Sequence, residues 1–258
     1  MPNLTIVFII FLFGLCIGSF LNVCIYRLPA SKSIVDPSRS VCPSCNQQIR
    51  YYDNIPIFSY LWLKGRCRHC STRIPVRYAV VELMTGGVAV AVLLAFGLTL
   101  EGLIYFAFTS ALIVITYIDI DHKIIPDIIT LPGIPIGLIA SFALPAVGFK
   151  DAIVGLLAGG GSLWLVAWIY YLLTRKDGMG GGDIKLLAMM GTIIGLKGVI
   201  FTIFMSSAVG TLVGITLMIV KGKDMKFAVP FGPFLSIGAI TYIFFGQDII
   251  RAYVNFLV

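Results

Sequence analysis

The stretch LTIVFIIFLFGLCIGSFLNVCIYR, Leu4 to Arg27, decides the fold class. It is uncharged up to its last residue and exceeds the roughly 20 apolar residues that a helix needs to cross the hydrocarbon core of a bilayer. No basic residue precedes it and Arg27 ends it, the reverse of a signal peptide with a charged leading region. The stretch is therefore expected to stay as a membrane helix with its N-terminus outside.

Outward from it, further apolar runs cover residues 78–97, 103–118, 128–147, 152–173, 184–196, 199–220 and 227–245. Together they predict eight spans, or seven if the sixth and seventh, separated only by Lys197-Gly198, form one helix. Eight spans from an outside start place four loops on the inner face: 27–77, 119–127, 174–183 with the helix start after it, and 221–226. Those loops hold 16 of the 19 Lys and Arg, among them Lys221, Lys223 and Lys226, whereas Lys150, Lys197 and Arg251 fall outside them. That asymmetry marks the cytosolic side, and it explains the net charge of +7 with no nucleic acid as partner. Only 12% of residues are charged, 59% are hydrophobic and the mean hydropathy is +0.98. A soluble domain carries about 25% charged residues, so a soluble enzyme, a secreted disulfide module and a disordered tail are excluded. Gly pairs four apart, such as Gly14/Gly18, Gly155/Gly159 and Gly191/Gly195, suit closely packed helices. The expected fold is an all-α polytopic membrane protein of about eight transmembrane helices. Its parts are a first helix (1–26), a small cytosolic insertion (27–77) and a multi-helix membrane domain (78–258).

The insertion carries Cys42-Pro43-Ser44-Cys45 and Cys67-Arg68-His69-Cys70, separated by 21 residues. Two such knuckles supply four thiolates that can close a tetrahedron around one zinc ion. Four sulfur ligands leave no open position, so the metal is expected to be structural, in a segment near the size at which an apolar core alone becomes marginal. A thiol oxidoreductase is the rival reading, and the cytosolic placement opposes it. His69 is expected beside the ligands, and Cys16 and Cys24 as apolar packing in the first span.

Twelve acids are present, and carboxylates at a membrane edge are functional candidates. Asp119, Asp121 and Asp127 fall in YIDIDHKIIPD, read as a short inside loop after the third span. Asp183 ends the glycine run of DGMGGGDIKL. Carboxylates from different helices could thus meet at one depth. Two carboxyl groups about 3 Å apart share one proton, so one can activate water while the other polarises a peptide carbonyl. Gly180, Gly181 and Gly182 would let an extended substrate backbone approach. The alternative for these acids is helix capping, Asp127 and Asp183 each lying at a helix start. Asp119 and Asp121 are about 200° apart around a helix, so at most one of them can face Asp183.

GSFLNVCIYRLP (Gly18–Pro29), the two knuckles, DNIPIFSYLWLKGRCRHC (Asp53–Cys70), RYAVVE (Arg77–Glu82), IDIDHKIIPD, GMGGGDIKL and PFGPF (Pro230–Phe234) resemble, in this order, the type IV prepilin peptidases of bacterial inner membranes. The resemblance spans nearly the whole chain and departs at Ala79, where the family often has proline. It implies that Asp119 and Asp183 are the catalytic pair of an aspartic endopeptidase. Such an enzyme cleaves prepilin or pseudopilin leaders after a glycine at the cytosolic face. It further implies N-methylation of the new N-terminus with S-adenosylmethionine. Pro230, Phe231, Gly232 and Pro233 are expected either to hold the unwound scissile segment through main-chain contacts or to form a plain helix N-terminus. Arg77 and Glu82 are candidates for methylation, for a structural ion pair or for interfacial anchoring. The alternatives from other classes are a transporter or channel using carboxylates and Gly-broken helices, and a zinc-stabilised membrane scaffold.

Overall fold

The computed structural model describes residues 3–36, 39–176, 178, 180–221 and 229–257. Among these, regular structure is helical apart from two isolated β-bridges. The expected basic positions Lys223 and Lys226, and the start of the eighth span at Phe227, lie outside the described residues. The chain divides into two compact units, Met1–Val114 and Ile115–Val258.

In the first unit, α1 (Leu4–Arg27) packs against α3 (Arg77–Phe96). Their backbones approach where side chains are missing: a Cβ on Gly18 would lie 2.7 Å from the Glu82 Cα, and one on Gly14 2.8 Å from the Gly86 Cα. The small-residue spacing thus serves as expected in lipid. Between these helices lie the cysteine knuckles, a 3-10 turn (Tyr51–Asn54) and the short α2 (Phe58–Trp62).

α4 (Leu100–His122) carries the chain into the second unit, which continues with α5 (Asp127–Ala140), α6 (Gly148–Thr174), α7 (Gly181–Lys221) and α8 (Gly232–Leu257). α7 packs on α6, α8 and α5. The α6–α7 contact is nearly backbone on backbone, since a Cβ on Gly155 would stand 2.9 Å from the Gly195 Cα.

Three expected boundaries are corrected. The loop expected to begin at Asp119 begins at Lys123, because α4 continues through His122 and the chain turns where Lys123 adopts a φ of 55°. The fourth span, expected over 128–147, is a 14-residue helix containing Pro132 and Pro135, followed by a 3-10 turn at Ser141–Ala143. At 1.5 Å per residue it is roughly 21 Å long, against a hydrocarbon core of about 30 Å. The break between the sixth and seventh spans is at Gly195, not Lys197-Gly198. Gly195 has φ 65° and ψ −174°, a conformation open to glycine and strained for other residues. The Asp151 carboxylate of α6 accepts from the Leu196 N–H at 3.3 Å, so a side chain satisfies a donor freed by the break. Among the described residues, six helices are long and apolar enough to cross a membrane, with α7 counted once. The protein is a multi-pass membrane protein.

Candidate active site and metal centre

Asp119 sits in the last turn of α4 and is 5% exposed, whereas Asp121 and His122 beyond it face outward. Its Oδ2 accepts a hydrogen bond from the Gly232 N–H at 2.9 Å. Gly232 is the first residue of α8, whose leading N–H groups have no partner within the helix and whose dipole places partial positive charge there. The segment PFGP is therefore a helix N-terminus aimed at a carboxylate. Pro233 follows where a missing N–H costs nothing. A Cβ at Gly232 would stand 2.7 Å from Asp119 Oδ2, so glycine is required for the approach.

Asp183 is the third residue of α7 and half-buried. Its carboxyl group and that of Asp119 lie close enough to interact electrostatically. The pair singled out in the sequence is thus brought together from two helices within one unit. The three glycines before Asp183 divide in role. Gly180 and Gly181 are exposed, and no atom lies within 4 Å of where a Gly181 Cβ would stand. Gly182 instead packs on Ile125, whose Cβ would be 2.9 Å from its own. Ile125 also lies against Gly232, and so separates and spaces the two glycines flanking the acids. Gly182, half-buried, therefore has a packing role against Ile125 that the sequence did not suggest.

The expected main-chain contacts from PFGP are narrowed. Pro230 and Pro233 have no N–H, the Gly232 N–H is taken by Asp119, and the Phe231 carbonyl accepts from Phe234 and Leu235. Gly232 as the partner of Asp119 was not legible, because the two are 113 residues apart and only helix packing joins them. Asp127 is neither paired with Asp183 nor a bare cap. It accepts from Lys185 Nζ at 2.8 and 2.9 Å, tying the start of α5 to that of α7.

In the first unit, the sulfurs of Cys42, Cys45, Cys67 and Cys70 all lie within 4.8 Å of one another. The knuckles are built alike. Cys42 N–H donates to the Gln47 carbonyl and Cys67 N–H to that of Thr72; the bridges pair Val41 with Gln48 and Arg66 with Arg73. Asn46 and Ser71, each just after the second cysteine, both have positive φ. The Cys42 and Cys70 sulfurs are 3.8 Å apart, close to the edge of about 3.8 Å expected for a tetrahedron with Zn–S bonds of about 2.3 Å. Hydrogen bonds from the Thr72 hydroxyl and backbone pull the Cys70 thiol down to about 6. Against the pull of a Gln47 backbone hydrogen bond, desolvation and the neighbouring Cys42, Cys70 and Cys67 push Cys45 up to about 11. Without a cation the four sulfurs cannot all ionise, and a divalent metal removes that conflict. The donor set and spacing fit zinc. His69 is exposed and outside the sulfur cluster.

Arg77 opens α3 and is half-buried, whereas Glu82, one turn on, is 8% exposed and accepts from the Ile57 N–H at 2.9 Å.

Comparison with known proteins gives a consistent result. A family model described as the bacterial peptidase A24 N-terminal domain matches residues 12–96, and one described as the type IV leader peptidase family matches residues 106–215. The prepilin leader peptidase/N-methyltransferase of Aeromonas hydrophila is 40% identical, covering 96% of this chain and 94% of its own length. Those of Pseudomonas putida (37%, covering 92% and 89%) and Neisseria gonorrhoeae (39%, covering 94% and 91%) are similar. No solved structure matches.

Proposed function

Because the chain belongs to the type IV leader peptidase family, we propose that Asp119 and Asp183 are the catalytic pair of a membrane prepilin leader peptidase that is also an N-methyltransferase. The observation that carries this is the meeting of the two carboxyl groups from α4 and α7, with Asp119 held by the start of α8. Two carboxyls that draw to about 3 Å around a bound peptide share a proton. The ionised one takes a proton from water, which attacks the scissile carbonyl, while the protonated one donates to the carbonyl oxygen. The exposed Gly180 and Gly181 leave room for an extended peptide backbone beside Asp183. Nothing in the site or the comparisons favours the transporter or the scaffold.

The substrates are prepilins or pseudopilins, cut after a glycine at the cytosolic face of the inner membrane. Eight crossings, the number that the charge asymmetry calls for, count both arms of the broken α7 and also α5 with its 3-10 turn (Asp127–Ala143), whose shortness a locally thinned bilayer accommodates. The asymmetry of Lys and Arg supports the orientation, and it faces the insertion to the cytosol. Cys42, Cys45, Cys67 and Cys70 hold one structural zinc, which supplies a cross-link for the insertion and no open coordination position. S-adenosylmethionine supplies the methyl group.

The test is purified protein with a prepilin, read by the mass of the product. Asp119→Asn and Asp183→Asn are each expected to stop cleavage. Processing by either variant at the unmutated rate would refute the pair.

A further inference from the structure

The first unit encloses a cavity of about 540 Å³ between the inner ends of α1 and α3 and the cysteine knuckles. Sites for small molecules run from about 300 to 1,000 Å³. Each helix turns one face to it: Ser19, Asn22 and Tyr26 on α1, and Tyr78 and Glu82 on α3. Glu82 is the unusual member. It is 8% exposed, its hydrogen-bond partners are the Ile57 N–H and the Ser19 hydroxyl, and among the described residues it forms no ion pair. A buried carboxylate without a cation is costly, and removing it from water calls for a positive partner.

Of the basic groups lining the same cavity, Arg73 and His69 are exposed, and the other three have contacts of their own. Arg27 donates to the Ser33 and Ile34 carbonyls at 3.1 and 2.9 Å, Arg68 pairs with Asp53 at 2.6 Å, and Lys32 lies over the Tyr26 ring. The cavity therefore presents the buried Glu82 carboxyl and three tyrosines, Tyr26, Tyr60 and Tyr78, groups that together attract a compact organic cation. Ile57, whose N–H fixes Glu82, is a β-branched residue held at φ 62°, a strained conformation of the kind that collects at functional sites.

We propose that this cavity is the methyl-donor site and that Glu82 pairs with the sulfonium of S-adenosylmethionine. The proposal rests on the N-methyltransferase reading above. When the neutral amine of the cleaved pilin attacks the methyl carbon, the N–C bond forms as the S–C bond breaks, and the S–C electron pair stays on sulfur. The positive charge passes to the methylated amine and leaves the side of Glu82. The demethylated product, S-adenosylhomocysteine, is therefore held more weakly than the donor.

Equilibrium dialysis of the full-length protein in detergent, with labelled donor and labelled S-adenosylhomocysteine in separate arms, tests this. Glu82→Gln keeps an oxygen to accept from Ile57. It is expected to weaken donor binding by about thirtyfold or more and product binding by less than about threefold, since only the donor carries the sulfonium. Val23→Trp, which fills the cavity from α1, is expected to abolish both. Crosslinking of bound donor to the unmutated protein, mapped by mass spectrometry, should label residues 19–26 or 78–82. Equal effects on donor and product in Glu82→Gln, or labels confined to residues 115–258, would overturn the assignment. If labels fall there while cleaved pilin is still methylated, only the cavity assignment fails. If the unmutated protein neither binds donor nor adds a methyl group to cleaved pilin, the N-methyltransferase reading fails with it.

Discussion

Each half of the cysteine cluster is a single turn of chain, Val41 to Gln48 or Arg66 to Arg73, closed by its own backbone hydrogen bonds and bridge. The aspartate site has no such local unit: Asp119, Asp183 and Gly232 come from the end of α4 and the starts of α7 and α8. A metal centre assembled from turns depends on a few neighbouring residues and on the metal itself. A carboxylate pair assembled from helix ends depends on how closely whole helices approach, and so on residues that carry no chemistry.

The largest break in that contrast should come from Asp183→Asn, which is expected to lower cleavage by about a thousandfold while metal content stays at one zinc per chain. Gly232→Val comes next. Its Cβ would meet Asp119 Oδ2 at 2.7 Å, and displacing that carboxylate by about 1 Å is expected to slow cleavage by about 100-fold, again with zinc retained. The converse change, Cys67→Ser, should take zinc content from about one to near zero and open residues 39–76 to added protease, both read by mass spectrometry.

The smallest effect concerns Asp53, whose carboxyl the Arg68 guanidinium holds below the usual carboxylate range by hydrogen bonding. Because Arg68 is 40% exposed and water screens the pair, Asp53→Asn is expected to lower the thermal unfolding midpoint only slightly at pH 7. The native-state value is the depressed one, so this stabilisation is complete above the carboxylate's unfolded value, near 4, and disappears as pH falls through the lower native value. A difference between the two proteins that grew on acidification would contradict the ion pair.

Much of the fold was legible from apolar run lengths, and the four-sulfur cluster from cysteine spacing, because both are short-range properties of the chain. The glycine pairs at Gly14/Gly18 and Gly155/Gly159 likewise announced close helix contacts, since only a missing side chain permits them. The errors share a cause. Hydropathy treated Asp119 as the first residue outside a span, but the helix continued because the carboxylate could turn inward to Gly232. The break assigned to Lys197-Gly198 by polarity belongs to Gly195, where backbone conformation, not polarity, matters. Arg77 and Glu82 looked equivalent along the chain, yet only Glu82 lines the cavity.

Composition, charge asymmetry and cysteine spacing were sufficient to place this chain in a membrane and to group its four sulfurs, whereas the two aspartates stood out only through the family resemblance of their motifs. The first two follow from residue chemistry and from local spacing. Helix packing settled which glycines face open space and which face Ile125, what holds Asp119, and where a buried carboxylate lies without a cation. Such relations join groups up to 113 residues apart, and their geometry exists only once the helices have met.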